Sequence, residues 1–292
     1  MLQIGLMWHT GWRFQQTTGK NGSESLTGQM GTSLFKDNVV IVTGASSGIG
    51  VQLAYQLADQ GAWLALAARR LDRLEAVAEE CRRRGAKAIA IQTDVTDEAQ
   101  CKHLIERTRD AYGRIDTLLI NAGHGKPQRF DAMHDLADLK AEIALNYLGA
   151  VQCVFYALPY LKQTRGRIVG VGSFGGLVGI PGTSGYNSSK HAMRGFLNTL
   201  RAELLGTGVT VTILFLGAIR TERLIEAMGN NVDKIPTMSP ERCAQIVIDA
   251  AAKRKRQVVM TLPGKLLVWL YQFAPGLVDR QLARLPGRVY KE

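Results

Sequence analysis

Val39-Val40-Ile41-Val42-Thr43 is an unbroken run of apolar and β-branched residues, followed at once by Gly44-Ala45-Ser46-Ser47-Gly48-Ile49-Gly50 and a helical pattern through Leu53, Ala54 and Leu57. A strand that is apolar at every position has no solvated face, so it belongs inside a sheet covered on both sides. The glycines allow a tight turn, and the helix that follows presents its positive end to any anion above that turn. Strand, glycine turn and helix, in that order, are the context a dinucleotide pyrophosphate requires. A plain strand-to-helix turn is the competing interpretation.

Similar segments recur down the chain. Residues 62–68, 86–92, 115–120, 167–171, 209–215 and 257–261 read as further strands, separated by amphipathic helical patterns that include a long helix over residues 137–161. This alternation predicts an α/β fold: a doubly wound, Rossmann-like parallel sheet of about seven strands with right-handed crossovers and helices on both faces. Ligands in such sheets bind at the carboxyl ends of the strands. The polar motifs of this chain fall at those ends.

The second strand ends about 20 residues past the glycine turn, where an acidic residue would hold the ribose hydroxyls of NAD. Here Ala68 is followed by Arg69 and Arg70. The missing carboxylate removes repulsion of a 2′-phosphate and a guanidinium supplies paired donors for it, so NADP(H) is expected over NAD(H). Solvated helix-capping charges are the bland alternative, which suits Arg70 best. After the third strand comes Asp94-Val95, with Thr96 or Asp97 as the next helix start.

The 292 residues, 46% of them apolar, suffice for one large domain. Residues 1–35 read as a flexible extension without a secretory pattern, and Met30 offers an alternative start. Residues 36–262 are expected to form one dinucleotide-binding domain, and residues 263–292 an amphipathic tail. Cys81, Cys101, Cys153 and Cys243 lack paired spacing, and no clustered ligands imply a metal. The net charge of +11 is uneven: residues 253–292 carry +7 and the other 252 residues only +4. A basic tail without a nucleic-acid-binding motif argues against nucleic acid as a partner. The apolar run from Leu266 to Tyr271 is too short to span a bilayer. Bordered by basic residues, it suits an anionic membrane surface or a partner subunit equally. A cytoplasmic protein is the expectation, with peripheral membrane contact and a subunit contact as the two readings of the tail.

Tyr186 and Lys190 are four residues apart at the start of a helical pattern, which puts phenol and ammonium on one face. A phenol with a pKa of about 10 is a poor acid or base at neutral pH, and a cation one turn away favours its ionised form.

Together, Thr43 to Gly50, Asn121-Ala122-Gly123, Asn146, Ser173 and Tyr186 with Lys190 resemble the classical short-chain dehydrogenase/reductase family over about residues 35–260. The resemblance implies that Tyr186 is the acid in carbonyl reduction and the base in alcohol oxidation, and that Lys190 assists it and holds the nicotinamide ribose. It implies that Ser173 binds the substrate oxygen and that Asn146 holds a water linking Lys190 to solvent. The backbone of Gly44, Ser46, Ser47, Gly48, Ile49 and Gly50 would cradle the pyrophosphate. Asp94 and Val95 would flank the adenine, and Asn121 would stabilise the sheet beside Ala122 and Gly123. The resemblance makes residues 36–262 the catalytic domain as well, with 217–238 as the family's substrate lid, from which Gly217 and Thr221 would approach the nicotinamide. A homodimer or homotetramer is also implied.

The chain departs from the family pattern at Leu216-Gly217, where Pro-Gly is usual, at Ile120-Asn121 and at Gly172-Ser173. These touch loop geometry and leave the catalytic groups intact. His124 lies past the fourth strand, where a substrate contact and a polar loop residue are equal readings. The lid residues Leu224, Ile225 and Met228, with Phe174, Leu177, Val178 and Ile180, are expected to line an apolar cavity. The resulting expectation is an NADP-dependent oxidoreductase acting on a carbonyl or secondary alcohol of a hydrophobic, lipid-like or steroid-like small molecule. The alternative is a catalytically idle NADP-binding protein with an assembly or membrane-attachment role.

Overall fold

The computed structural model describes residues 34–284. Its strands are β1 (Val39–Thr43), β2 (Trp63–Ala68), β3 (Ala88–Gln92), β4 (Thr117–Ile120), β5 (Arg167–Ser173), β6 (Thr210–Leu216) and β7 (Gln257–Val259). They form one all-parallel sheet in the order β3-β2-β1-β4-β5-β6-β7. Strand order reverses between β1 and β4, which opens a crevice at their carboxyl ends.

The helices are α1 (Gly48–Asp59), α2 (Leu71–Arg83), α3 (Glu98–Tyr112), α4 (Ala137–Ile143), α5 (Gly149–Thr164), α6 (Ser184–Glu203), α7 (Glu222–Met228), α8 (Pro240–Ala252), α9 (Leu262–Phe273) and α10 (Pro275–Arg284). Successive strand residues alternate between two cores. Val40, Val42, Leu64 and Leu66 face α1, α2 and α8, where they meet Leu53, Leu74 and Val247. Ile41, Ala65 and Ala67 face α3, α5 and α6, where they meet Leu104, Val154 and Leu197. Both faces are dry, as the unbroken apolar strands require.

Helix starts follow local chemistry. Asp97 caps α3 by accepting from the Gln100 amide at 3.2 Å, and Ser239 caps α8 by accepting from Arg242 at 3.2 Å. The expected long helix begins at Ala137 but runs on to Thr164, and a π turn over Ala144–Leu148 joins α4 to α5. That run is long and apolar enough to cross a membrane by length and composition alone. Its α5 portion buries Ala150, Cys153, Val154 and Leu161 in the second core.

Several boundaries differ from expectation, and β2, β3, β4 and β6 each begin one or two residues late. β5 reaches Ser173 and β6 reaches Leu216, because their pairing continues through Gly172 with Phe215 and Ser173 with Leu216. β7, an edge strand pairing only with β6, stops at Val259. Phe35, assigned above to the extension, is buried in the first core under the guanidinium of Arg167. The rest of the expected extension and the last eight residues of the tail lie outside the described residues.

Candidate active site

The crevice is a cavity of about 650 Å³ running from the end of β2 to the lid. Its floor is the glycine turn. Gly44 (φ +69°) and Gly48 (φ +55°) hold conformations that favour glycine, and a β-carbon on Gly50 would fall 2.1 Å from the Gly44 carbonyl oxygen. Gly50 therefore sits behind the turn and permits close packing of α1. Ser46, Ser47, Gly48 and Ile49 line the cavity itself.

The β1–β4 junction is fastened by Thr43 and Asn121. Thr43 Oγ1 donates to the Leu119 carbonyl at 3.2 Å and accepts from the amides of Asn121 and Ala122 at 3.0 and 3.1 Å. Asn121 Nδ2 returns bonds to the carbonyls of Thr43 and Gly44 at 3.0 and 3.2 Å. Asn121 thus holds the turn's entry in place.

At the end of β2, Arg69 is exposed and lies 4.0 Å from Asp94, while Arg70 bends back and donates to Ser46 Oγ at 3.3 Å. Arg70 is the N-cap residue of α2, as the helix-capping reading has it, and its side chain also reaches the glycine turn. Asp94 Oδ1 accepts from the Thr96 amide at 3.0 Å, and Val95 is buried against Gly149, leaving a small edge on the cavity.

Ser173 ends β5, and its Oγ accepts from the Gly175 amide at 3.2 Å, leaving the hydroxyl proton for another acceptor. Tyr186 is in the first turn of α6 with its ring against Gly125, where a β-carbon would fall 2.7 Å from the ring. Lys190 is buried one turn later, its Nζ donating to the Val171 carbonyl at 3.2 Å and lying 5.8 Å from the Tyr186 ring centroid. Burial pushes the lysine pKa down to about 8, so the ammonium persists at neutral pH.

Asn146 lies in the π turn, just behind the cavity. Its Oδ1 accepts from the His124 amide at 2.9 Å, and its Nδ2 donates to the His124 carbonyl at 2.8 Å and to Ser189 Oγ at 3.0 Å. Both Nδ2 protons and one Oδ1 lone pair are engaged with protein, and these bonds fix the loop after β4. On the lid side, Gly217 approaches Phe174, and Thr221 caps α7 by accepting from the Leu224 amide at 3.3 Å.

The family model described as "short chain dehydrogenase" matches residues 38–230. The chain belongs to the short-chain dehydrogenase family. Relatives include the 11-beta-hydroxysteroid dehydrogenase-like 4A protein of Arabidopsis thaliana, 38% identical over 245 residues, covering 82% of each chain. The 11-beta-hydroxysteroid dehydrogenase of Pinus massoniana is 36% identical over 260 residues, covering 84% of this chain and 73% of the relative. Among solved structures, the alcohol dehydrogenase of the archaeon Thermococcus sibiricus complexed with 5-hydroxy-NADP matches at a TM-score of 0.69 and 26% identity, covering 77% of this chain and 96% of that one.

This short-chain dehydrogenase is thus an oxidoreductase with a nucleotide-binding, Rossmann-like fold. The glycine turn, which opens α1 and puts Ser46, Ser47, Gly48 and Ile49 on the cavity, fits a nicotinamide dinucleotide. Two apolar expectations need correction. A single 3₁₀ turn over Phe174–Gly176 directs Val178 into the interior and packs Leu177 on the second core, leaving Phe174 and Ile180 on the cavity. In α7, Leu224 and Met228 face inward, one turn apart, whereas Ile225 is exposed.

The dehydrogenase cavity also includes His124 and Arg223. His124, left without a role by sequence reasoning, has its pKa pushed down to about 4, by burial first and then by Arg223, Arg69 and Lys190. It is a neutral imidazole at physiological pH. Arg223 went unnoticed because a basic residue in a short amphipathic helix ordinarily points to solvent. Its position two residues past Thr221 was the available signal.

Proposed function

We propose that the protein is an NADP-dependent oxidoreductase that transfers a hydride between nicotinamide and a carbonyl or secondary alcohol of a hydrophobic small molecule. The observation that carries this reading is the convergence on one cavity of Ser173, Tyr186 and Lys190 at one end and Arg69 and Arg70 at the other. Relatives named as 11-beta-hydroxysteroid dehydrogenases and a neighbour complexed with an NADP analogue support the substrate class and the cofactor.

The bound dinucleotide would supply the hydride donor or acceptor. The glycine turn would hold its diphosphate, Arg69 and Arg70 its 2′-phosphate, Asp94 and Val95 the adenine, and Lys190 the nicotinamide ribose. Reduction of a ketone builds negative charge on oxygen, which donors fixed in advance stabilise more than the starting carbonyl. Ser173 would orient that oxygen with its free proton and Tyr186 would deliver a proton to it. The Lys190 ammonium would stabilise charge left on the phenolic oxygen. In oxidation the same proton path runs in reverse. Phe174, Ile180, Leu224 and Met228 would exclude water from an apolar substrate.

The exposed apolar residues Leu148 and Phe155 on the helical run around α5 support self-association. Leu262, Leu266, Trp269 and Phe273 are exposed along one face of α9, with Lys265 beside them, which supports peripheral attachment to an anionic membrane. The test of the main reading is a panel of hydrophobic ketones and secondary alcohols assayed with NADPH, NADP, NADH and NAD. Turnover with the phosphorylated pair is expected, and no turnover of any carbonyl or alcohol would refute it.

A further inference from the structure

Arg223 occupies the first turn of α7 and lines the cavity with Gly48, Arg69, Arg70 and His124. Its neighbours already have partners. Arg69 lies near Asp94, Arg70 bonds Ser46, Arg73 pairs with Glu222 at 3.4 Å, and Arg220 pairs with Asp233 at 2.7 Å. The Arg223 guanidinium makes no hydrogen bond or ion pair with any described residue.

Strand order locates it over the sheet. β1 lies between β2, which leads to Arg69 and Arg70, and β4, which leads to His124. Arg223 acts on both sides. Its charge helps lower the His124 pKa, and its own is lowered by desolvation first and then by Arg69 and Arg70, against a weaker opposing effect of Glu226. The cavity that Arg223 lines includes the glycine turn at the carboxyl end of the strand between those flanks. A separate contact agrees: a β-carbon on Gly48 would fall 2.9 Å from Thr221 Cγ2, so the start of α7 overhangs that turn. Guanidinium groups gathered around one cavity repel each other, and an anion among them relieves the repulsion.

We infer that Arg223 is a cofactor-binding residue supplied by the lid, reaching over the glycine turn to the diphosphate of a nicotinamide dinucleotide. The diphosphate is common to NAD and NADP, so the inference rests on dinucleotide binding and is independent of the preference between them. It makes the lid a part of the phosphate site as well as a cover for the substrate.

The test is equilibrium binding of NADPH and NADH to the full-length protein, followed by nicotinamide fluorescence, for the parent, R223A, R223K and R69A. Loss of charge-assisted bonds predicts that R223A weakens both cofactors by the same factor, about tenfold or more. R223K should recover part of the loss, since lysine keeps the charge without the planar fork. R69A should weaken NADPH alone. R223A removes a side chain without a hydrogen bond or ion pair to any described residue, so it should melt like the parent. Unchanged affinity in R223A would overturn the inference, and so would a loss confined to NADPH, which would assign the residue to the 2′-phosphate. A parent protein with equal affinity for both cofactors would refute the NADP preference alone, with the equal losses in R223A still deciding the role of Arg223.

Discussion

Gly264 of α9 lies against the ring of Phe174, the residue after Ser173, so closely that a β-carbon on the glycine would fall 1.8 Å from Phe174 Cζ. Gly217, at the entry to the lid, approaches the same ring, where its β-carbon would fall at 3.2 Å. One phenylalanine therefore joins the end of β5, the lid and the C-terminal helices. The C-terminal segment thus backs a residue of the active-site wall.

Gly264→Ala should force either α9 or Phe174 to move. Overpacking of this kind costs about 1–3 kcal/mol. Thermal denaturation should show a lower Tm, turnover should fall, and NADPH affinity should hold. Combining it with Phe174→Ala should cost less than the sum of the two single changes. Simple additivity would show that the two residues are not coupled.

Tyr186→Phe removes the proton donor while keeping the ring that packs on Gly125. Turnover should drop by at least about 100-fold, the scale of general acid catalysis. NADPH affinity should stay within about twofold of the parent, well under the tenfold change that 1.4 kcal/mol produces. Retained turnover would remove the tyrosine from its role.

Arg69→Ala should cut the preference for NADPH over NADH by about 10- to 100-fold, the scale of charge-assisted hydrogen bonds. Ratios of kcat/KM for the two cofactors measure it. An unchanged ratio would place the 2′-phosphate elsewhere.

Lys190 gives a pH signature with a definite sign. Its folded pKa is depressed to about 8, while the unfolded value is about 10.4. Below about pH 8 both states hold the proton, and the folded state bears the full cost of a buried cation. Between about pH 8 and 10.4 the unfolded state binds more protons, so this residue's contribution to stability rises with pH, by up to about 3 kcal/mol. Chemical denaturation from pH 7 to 10 should show this rise as the difference between the parent and Lys190→Met. A pH-independent difference would contradict the depressed pKa.

The stripe on α9 offers a test that leaves the fold intact, because Leu266 and Trp269 are exposed. Replacing both by Glu should abolish flotation with anionic liposomes and leave turnover of a soluble substrate intact. Equal flotation of parent and variant would exclude α9 as the attachment surface.

The sheet was legible because β1, β2 and β4 to β6 are mostly apolar and β-branched runs separated by helical patterns, which admit few alternatives. The phosphate turn, Asn121, Ser173, Tyr186 and Lys190 were legible because their spacing follows chain order at the strand ends. Side-chain direction within the lid was less so. Leu224, Ile225 and Met228 look alike in sequence, and only the placement of α7 over Gly48 decides that Ile225 faces out. Leu177 and Val178 were misjudged because one 3₁₀ turn redirects the chain, and such turns leave little mark on apolar spacing. The amphipathic tail was readable as such, but its docking on Phe174 depends on a glycine whose meaning appears only when two distant segments meet.

Asn146 ties the loop after β4 to a helix 22 residues on and to Ser189 a further 43 residues away. Contacts across such separations carry loop-closure entropy and form slowly relative to local helix. The floor beneath Tyr186 is thus completed late in folding. In refolding, recovery of helical signal should precede recovery of a competent site, so activity reports closure of the whole chain.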